Sequence, residues 1–196
     1  LNFIAKRRWI AATGLLLFLA TLVLAQQQPA ILQLDPAKST AEITLNATFH
    51  TVHGKFLPQP GEIRFDPGSG KISGEIVFDA TSGKTGNDGR DRKMHSFVLE
   101  SAKFPHITFR PDRVEGKIAA SGPSTAQVHG MFGLHGTEHE LTIPVEVRFE
   151  GDHWTASAHF SVPYAKWGLK NPSTLFLHVG DSVEVEFHGE GRLSAP

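Results

Sequence analysis

The sequence predicts an all-β protein in which one antiparallel sheet closes into an up-and-down barrel around a single non-strand insert at Gly86–Phe109. Three observations carry this reading. From Ala41 onward, apolar residues recur at every second position, the signature of half-buried strands. The runs are joined by short Gly-, Pro- and Asp-bearing turns with no helix-length crossovers, so consecutive strands lie side by side and antiparallel. The intervening positions are charged, among them Glu42, Arg64, Glu75, Glu146, Arg148, Glu184 and Glu186. A sheet of eight or nine strands that is apolar on one face must fold over that face, as a barrel or a sandwich. A charged outer face is the reverse of an outer-membrane barrel, whose exterior is apolar. The reading is a soluble barrel.

The chain has 196 residues, enough for one domain with a real core and too few for two typical ones. A net charge of −1 lacks the basic excess that nucleic acid requires, and the absence of Cys excludes disulfides and thiol chemistry. Residues 1–25 read as a signal peptide. Lys6-Arg7-Arg8 precedes an uncharged run from Trp9 to Leu24, and Val23-Leu24-Ala25 ends in the small residues of a cleavage site. That run of sixteen residues is short of the roughly 20 that span a bilayer. Cleavage after Ala25 would leave a chain of charge −4, with 26–33 as a linker and 34–193 as the barrel domain.

Within the domain, Ile43, Leu45, Ala47 and Phe49 share one face and Glu42, Thr44, Asn46 and Thr48 the other. Pro58-Gln59-Pro60-Gly61 turns the chain into Ile63 and Phe65, and Pro67-Gly68-Ser69-Gly70 into Ile72, Gly74, Ile76 and Phe78. The insert is polar from Asn87 to Lys93, then places Met94, Phe97 and Val98 or Leu99 at helical spacing before Pro105. Ile107 and Phe109 restart the sheet, followed by Val114, Gly116, Ile118 and Ala120 and a loop at Ser121–Ser124. Three further alternating runs follow: Val128 to Leu134, Leu141 to Phe149, and Trp154 to Val162. A Pro- and Gly-containing segment from Pro163 to Gly180 precedes Val183, Val185 and Phe187.

The pattern leaves the interior open to two descriptions. Ala47, Gly74, Gly116, Ala120, Gly130, Ala156 and Ala158 face inward and would leave volume, which is costly unless occupied. Alternatively Phe65, Phe78, Phe132, Phe149, Phe160 and Trp154 fill it, giving a solid barrel that acts as a structural or stress-associated interaction module.

Asn87, Arg90-Asp91, Met94, Leu99, Ser101, Phe104-Pro105 and Ile107-Thr108-Phe109 resemble the signature N-x-x-R-D-x-x-L…S…F…P-x-I-T-F of the YceI-like family. Gly54-Lys55-Phe56 with Gly61–Asp66 is similar to that family's G-x-F…G-x-I-x-F-D, and Val128–Gly136 to its V-x-G-x-L-T-L-x-G. The chain departs from the pattern at Gly89, at Met94 in place of Leu, and at Thr137-Glu138-His139-Glu140. The resemblance implies an antiparallel, eight-stranded, lipocalin-like barrel with a short helical insert near the mouth. It also implies periplasmic or secreted location, an isoprenoid lipid as ligand, no cofactor, and frequent homodimers. A carrier of such a lipid would touch a membrane transiently.

On that reading Ile43, Leu45, Phe49, Phe65, Ile76, Phe78, Met94, Phe97, Leu99, Phe109, Phe132, Val145, Val147, Trp154 and Phe160 line an apolar tunnel. Arg90, Asp91 and Lys93 supply a head-group collar or cap. Arg90 suits phosphate oxygens or a quinone carbonyl, or else pins the insert, while Asp91 suits the N-cap of the short helix. Other chemistry is weaker. His50 and His53 differ by an odd number and point apart, and His129, His135 and His139 match no zinc spacing, so no metal site is expected. Ser96 and Ser101 lie near His95 and His106 without a nucleophile elbow, so no enzyme is expected.

Overall fold

Why the chain closes into a barrel is visible in the pairing of its strands. The computed structural model describes residues 29–194; the 1–25 segment read as a signal peptide lies outside the described residues. The strands are β1 Ala30–Leu34, β2 Thr40–Ala47, β3 His50–Pro58, β4 Gly61–Phe65, β5 Ile72–Lys84, β6 His106–Glu115, β7 Gly122–Leu134, β8 Thr137–Glu150, β9 His153–Val162 and β10 Val183–Ser194. All pairings are antiparallel. β1 and β2 lie in succession along β10, and β3 and β4 lie in succession along β5. These four short segments therefore act as one bent hairpin, and the ten segments make an eight-stranded closed barrel in which chain order is spatial order. The buried hydroxyl of Ser39 ties the β1–β2 corner to β10, donating to Asp35 O at 2.8 Å and accepting from Glu190 N at 3.0 Å.

The period-two reading holds along β8 and β9, where Ile143, Val147, Phe149 and Ala158 are buried between exposed neighbours and Trp154 and Val162 are buried on the same face. Three details differ from the sequence reading. First, β1 begins at Ala30, within the stretch read as a linker, because Leu32 and Leu34 bury one face while their backbone pairs with both β4 and β10. Second, β6 stops at Glu115, so Gly116, Ile118 and Ala120 belong to a connection, and Gly122–Ser124 belong to β7 opposite Phe149–Val147. Third, the inward glycines do not create the interior volume. A Cβ at Gly74 would lie 2.2 Å from Glu62 O, and one at Gly130 2.4 Å from Arg110 O, so these glycines admit close strand approach.

The insert forms α1 Asp88–Lys93 followed by a π-helical turn Met94–Val98. It sits directly on β5 because Gly83 has no side chain: a Cβ there would meet the Phe56 ring at 2.6 Å and the Met94 methyl at 2.8 Å. The insert, the β2–β3 turn, the β7–β8 turn and the 163–182 segment gather at one end of the barrel, here called the mouth.

Candidate functional site

Buried apolar side chains normally form one contiguous core per domain. Here they form two. Near the mouth Phe109, Phe132, Leu134, Ile143, Ala158, Val162, Tyr164 and Leu169 pack together; at the far end Leu32, Leu34, Ile63, Phe65, Val147, Phe149 and Trp154 do. Between and along them runs a cavity of about 620 Å³, within the roughly 300–1,000 Å³ range of ligand pockets. On β8 it is lined from Ile143 to Phe149 and on β9 from Ala156 to Val162, a length of roughly 20 Å along each strand at about 3.3 Å per residue. The barrel is not solid.

The lining is graded. Toward the far end it includes the buried Leu32, Ile63, Phe65, Ala126 and Phe149 with the half-buried Ile72, Val114 and Ile118. The exposed lining residues are His50, Asn87, Gly89 and Lys93, and all four belong to the mouth. Polar groups are confined to the same end, where Thr85, Arg90 and Lys93 join an otherwise apolar wall. With no polar side chain lining the far end among the described residues, an occupant would be held by volume and apolar contact, about 0.8 kcal/mol per buried CH₂. Hydrogen-bond recognition is available only at the entrance.

Of the fifteen apolar residues assigned to a tunnel from sequence, twelve line this cavity: Ile43, Leu45, Phe65, Ile76, Phe78, Met94, Leu99, Phe109, Phe132, Val145, Val147 and Phe160. Three do not. Phe49 lies beyond the end of β2 in the turn and is 80% exposed, because the alternation stops at Ala47. Phe97 is 39% exposed; the wider π-helical turn sends Val98 and Leu99 inward and leaves Phe97 under the ammonium groups of Lys93 (5.8 Å) and Lys170 (5.2 Å). Trp154 points inward but is buried against Gly189 and Gly191 in the far cluster, off the cavity wall.

At the collar, Arg90 and Lys93 line the entrance and Asp91 does not. The helix cap is Asn87, whose side-chain oxygen accepts the Arg90 N–H at 2.9 Å. Asp91, only 4% exposed, falls inside the helix and accepts both the amide (2.9 Å) and the hydroxyl of Thr85. Those bonds, the hydroxyl first, hold its carboxyl below the usual range. Arg90 completes the clasp, donating Nε to Thr85 Oγ1 at 2.8 Å and Nη2 to Thr85 O at 2.7 Å. Arg90 therefore pins the insert through Thr85 while facing the opening, and Lys93 Nζ reaches across to Pro172 O at 3.0 Å. Thr85, the hub of this arrangement, carried no signal in the sequence.

Two further clasps hold the insert. His95 Nε2 donates to Gly83 O at 2.9 Å, which leaves Nδ1 to accept the hydroxyl of buried Ser101 at 3.0 Å. This Ser–His contact closes the insert's own turn, and neither residue lines the cavity. Beyond it Glu100 pairs with His135 at 2.7 Å, and Phe104 covers Gly136. Glu100 (φ 46°) and His135 (φ 54°) are both left-handed, a conformation costing a non-glycine residue about 1–2 kcal/mol, so this contact is held against local strain. The His135 ring nitrogen holds the Glu100 carboxyl below its ordinary value, with Lys170 adding to it.

The histidines grouped in the sequence go separate ways. His129 pairs with Asp112 at 2.8 Å, His135 with Glu100, and His139 stacks on Trp167 at 4.2 Å. Among the described residues no three His, Cys, Asp or Glu side chains converge on a metal position.

The far side of the mouth is the 163–182 segment. Burial pushes the Tyr164 phenol up to about 12, with Asp181 adding to it, and the hydroxyl donates to Gly180 O at 2.6 Å. Asn171 Nδ2 donates to Val179 O at 3.0 Å and to Asp181 Oδ1 at 2.8 Å. Tyr164 and Leu169 are buried in the mouth cluster, whereas Leu175 and Phe176 are 97% and 87% exposed.

Comparison with solved structures finds the same fold. BcnA of Burkholderia cenocepacia superposes with a TM-score of 0.66 at 19% identity, over 81% of this chain and 99% of that one. A polyisoprenoid binding domain from Saccharophagus degradans, implicated in plant cell wall breakdown, gives 0.62 at 17%, over 84% and 98%. The Campylobacter jejuni YceI protein gives 0.59 at 18%, over 76% and 88%. No curated protein matches in sequence. The family model of the YceI-like domain matches residues 32–191, nearly the whole barrel, and the chain belongs to that family.

Proposed function

We propose that the protein is an exported binding protein that holds the chain of one isoprenoid lipid, of the polyprenyl or isoprenoid-quinone type, lengthwise in its barrel. The head group would sit at the mouth beside Arg90 and Lys93, where sequestration or transport of the lipid would begin and end. The observation that carries this reading is the lining: one continuous apolar cavity with its exposed and cationic residues at one end only. The likeness to a polyisoprenoid binding domain supports the ligand class. The Lys6–Ala25 pattern supports export to the periplasm or beyond. A binding role suits a wall that is apolar beyond its entrance, since apolar burial alone can hold an isoprenoid chain.

Organic extraction of the purified protein followed by mass spectrometry tests the reading. An isoprenoid recovered at one per barrel is expected. Recovery of no lipid, together with no binding of a fluorescent farnesyl probe, would overturn it and return the barrel to a structural role.

A further inference from the structure

We propose that the rim formed by Phe49, Leu175 and Phe176 inserts into an anionic bilayer surface, so that the barrel loads and unloads mouth-down on a membrane. This rests on the lipid-binding reading above and adds the partner and the face. The three side chains are the most exposed large apolar residues among those described, at 80%, 97% and 87%. They do not sit on independent loops. Thr48 N donates to His178 O at 2.9 Å, His178 N donates back to Thr48 Oγ1 at 2.8 Å, and Ala47 bridges Val179. The β2–β3 turn and the Leu175–Phe176 tip are thereby one unit. Ala47, Pro172, Leu177 and Val179 continue from that unit into the cavity wall, so apolar side chains lead from the tips to the interior.

Charge selects the partner. The two covers of the mouth, residues 85–105 and 163–182, carry six Lys and Arg against four Asp and Glu, while the rest of 26–196 carries ten against sixteen. Of the four acids, Asp91 is turned inward onto Thr85 and Glu100 is paired with His135, which leaves exposed Asp88 and Asp181 against exposed Arg92, Lys93, Lys103, Lys166 and Lys170; Glu138, beside the β7–β8 turn, is paired with Arg110. A positive, apolar-tipped end on a negative body is drawn to an anionic surface and oriented by it. A second copy fits less well: three side chains present on the order of 500 Å², below the roughly 800 Å² per partner of a stable interface. Two positive mouths would also repel.

The test uses co-sedimentation with phosphatidylcholine vesicles, with and without phosphatidylglycerol, beside two ligand assays: transfer of a fluorescent farnesyl probe out of vesicles, and binding of the same probe from detergent micelles. Wild type should sediment more strongly with phosphatidylglycerol present and less at high salt. The triple variant Phe49→Ser, Leu175→Ser, Phe176→Ser should lose vesicle binding and transfer rate by about tenfold or more, with micellar binding of the probe unchanged. Lys166→Glu with Lys170→Glu should remove the phosphatidylglycerol dependence. Equal sedimentation of triple variant and wild type overturns the proposal, as does a wild type indifferent to phosphatidylglycerol. So does a dimer on gel filtration that the triple variant breaks, which would assign the rim to a second copy. Failure of the probe to bind from micelles would count against the lipid-binding reading, while sedimentation would still decide the docking.

Discussion

The two covers of the mouth are built in opposite ways. The 85–105 insert is fastened along its length by Asp91 and Arg90 on Thr85, by His95 between Gly83 and Ser101, and by Glu100 on His135. Its anchors include the buried polar side chains Asp91 and Ser101, each 4% exposed. The 163–182 segment is fastened at its base by Tyr164, Leu169 and Asn171 and, past its tip, by the surface bonds between His178 and Thr48, while Leu175 and Phe176 project into solvent. Buried polar bonds are costly to break because the stranded partner cannot recover water, whereas bonds at the surface exchange with water at little cost. The insert is therefore the fixed jaw of the entrance. Whatever yields to admit a ligand belongs to the other side.

The largest expected effect breaks the fixed jaw. Asp91→Ala strands the Thr85 amide and hydroxyl and should cost about 3 kcal/mol, read from the denaturant midpoint; a loss under about 1 kcal/mol would mean that the insert is held mainly by packing. The same carboxyl makes the jaw acid-sensitive. Its folded pKa lies below the ordinary value near 3.8, so its contribution is complete above that value and fades as pH falls through the folded one. Stability measured against pH should drop on the acid side, and Asp91→Asn should flatten the drop.

A smaller effect sharpens the comparison from the other side. Tyr164→Phe removes the bond to Gly180 O and should cost about 1 kcal/mol. Hydrogen exchange should quicken in 163–182 and stay unchanged in 85–105. Acceleration in both would show that the two covers move as one. The smallest effect on stability is expected for Arg90→Ala, because Asn87 still caps the helix and Asp91 still holds Thr85. Its signature is a several-fold faster release of bound probe, on the order of 1 kcal/mol for one charge-assisted contact; unaltered release would leave Arg90 as a pin alone.

The barrel was legible because period-two alternation is a local property, and β8 and β9 repeat it without interruption. The inward face was legible for the same reason, but whether it enclosed a cavity or a solid core was not, because alternation fixes which side chains point inward and not how completely they fill the space. Legibility failed where local rules stop. Phe49 lay two residues past the end of its strand, and Phe97 depended on a π-helical turn that apolar spacing does not distinguish from an α-helical one. Leu32 and Leu34 did alternate, but a run this short beside Gln26–Gln28 and Pro29 reads as linker. The clasps were invisible for a different reason. Glu100 with His135 and His95 with Gly83 are pairings of distant positions created by the fold, and nothing in a Thr at the end of a strand announces that four bonds will converge on it.

The closed ring and its graded lining set how an occupant could be replaced. With its exposed residues at one end only, the cavity is a dead-end sleeve that admits a chain in single file. Among the described residues the exposed lining offers a newcomer one way in, so exchange would proceed by departure first and arrival second. The exchange rate should then be independent of competitor concentration and should fall steeply as the resident chain lengthens, since each added methylene must be withdrawn before the sleeve is empty.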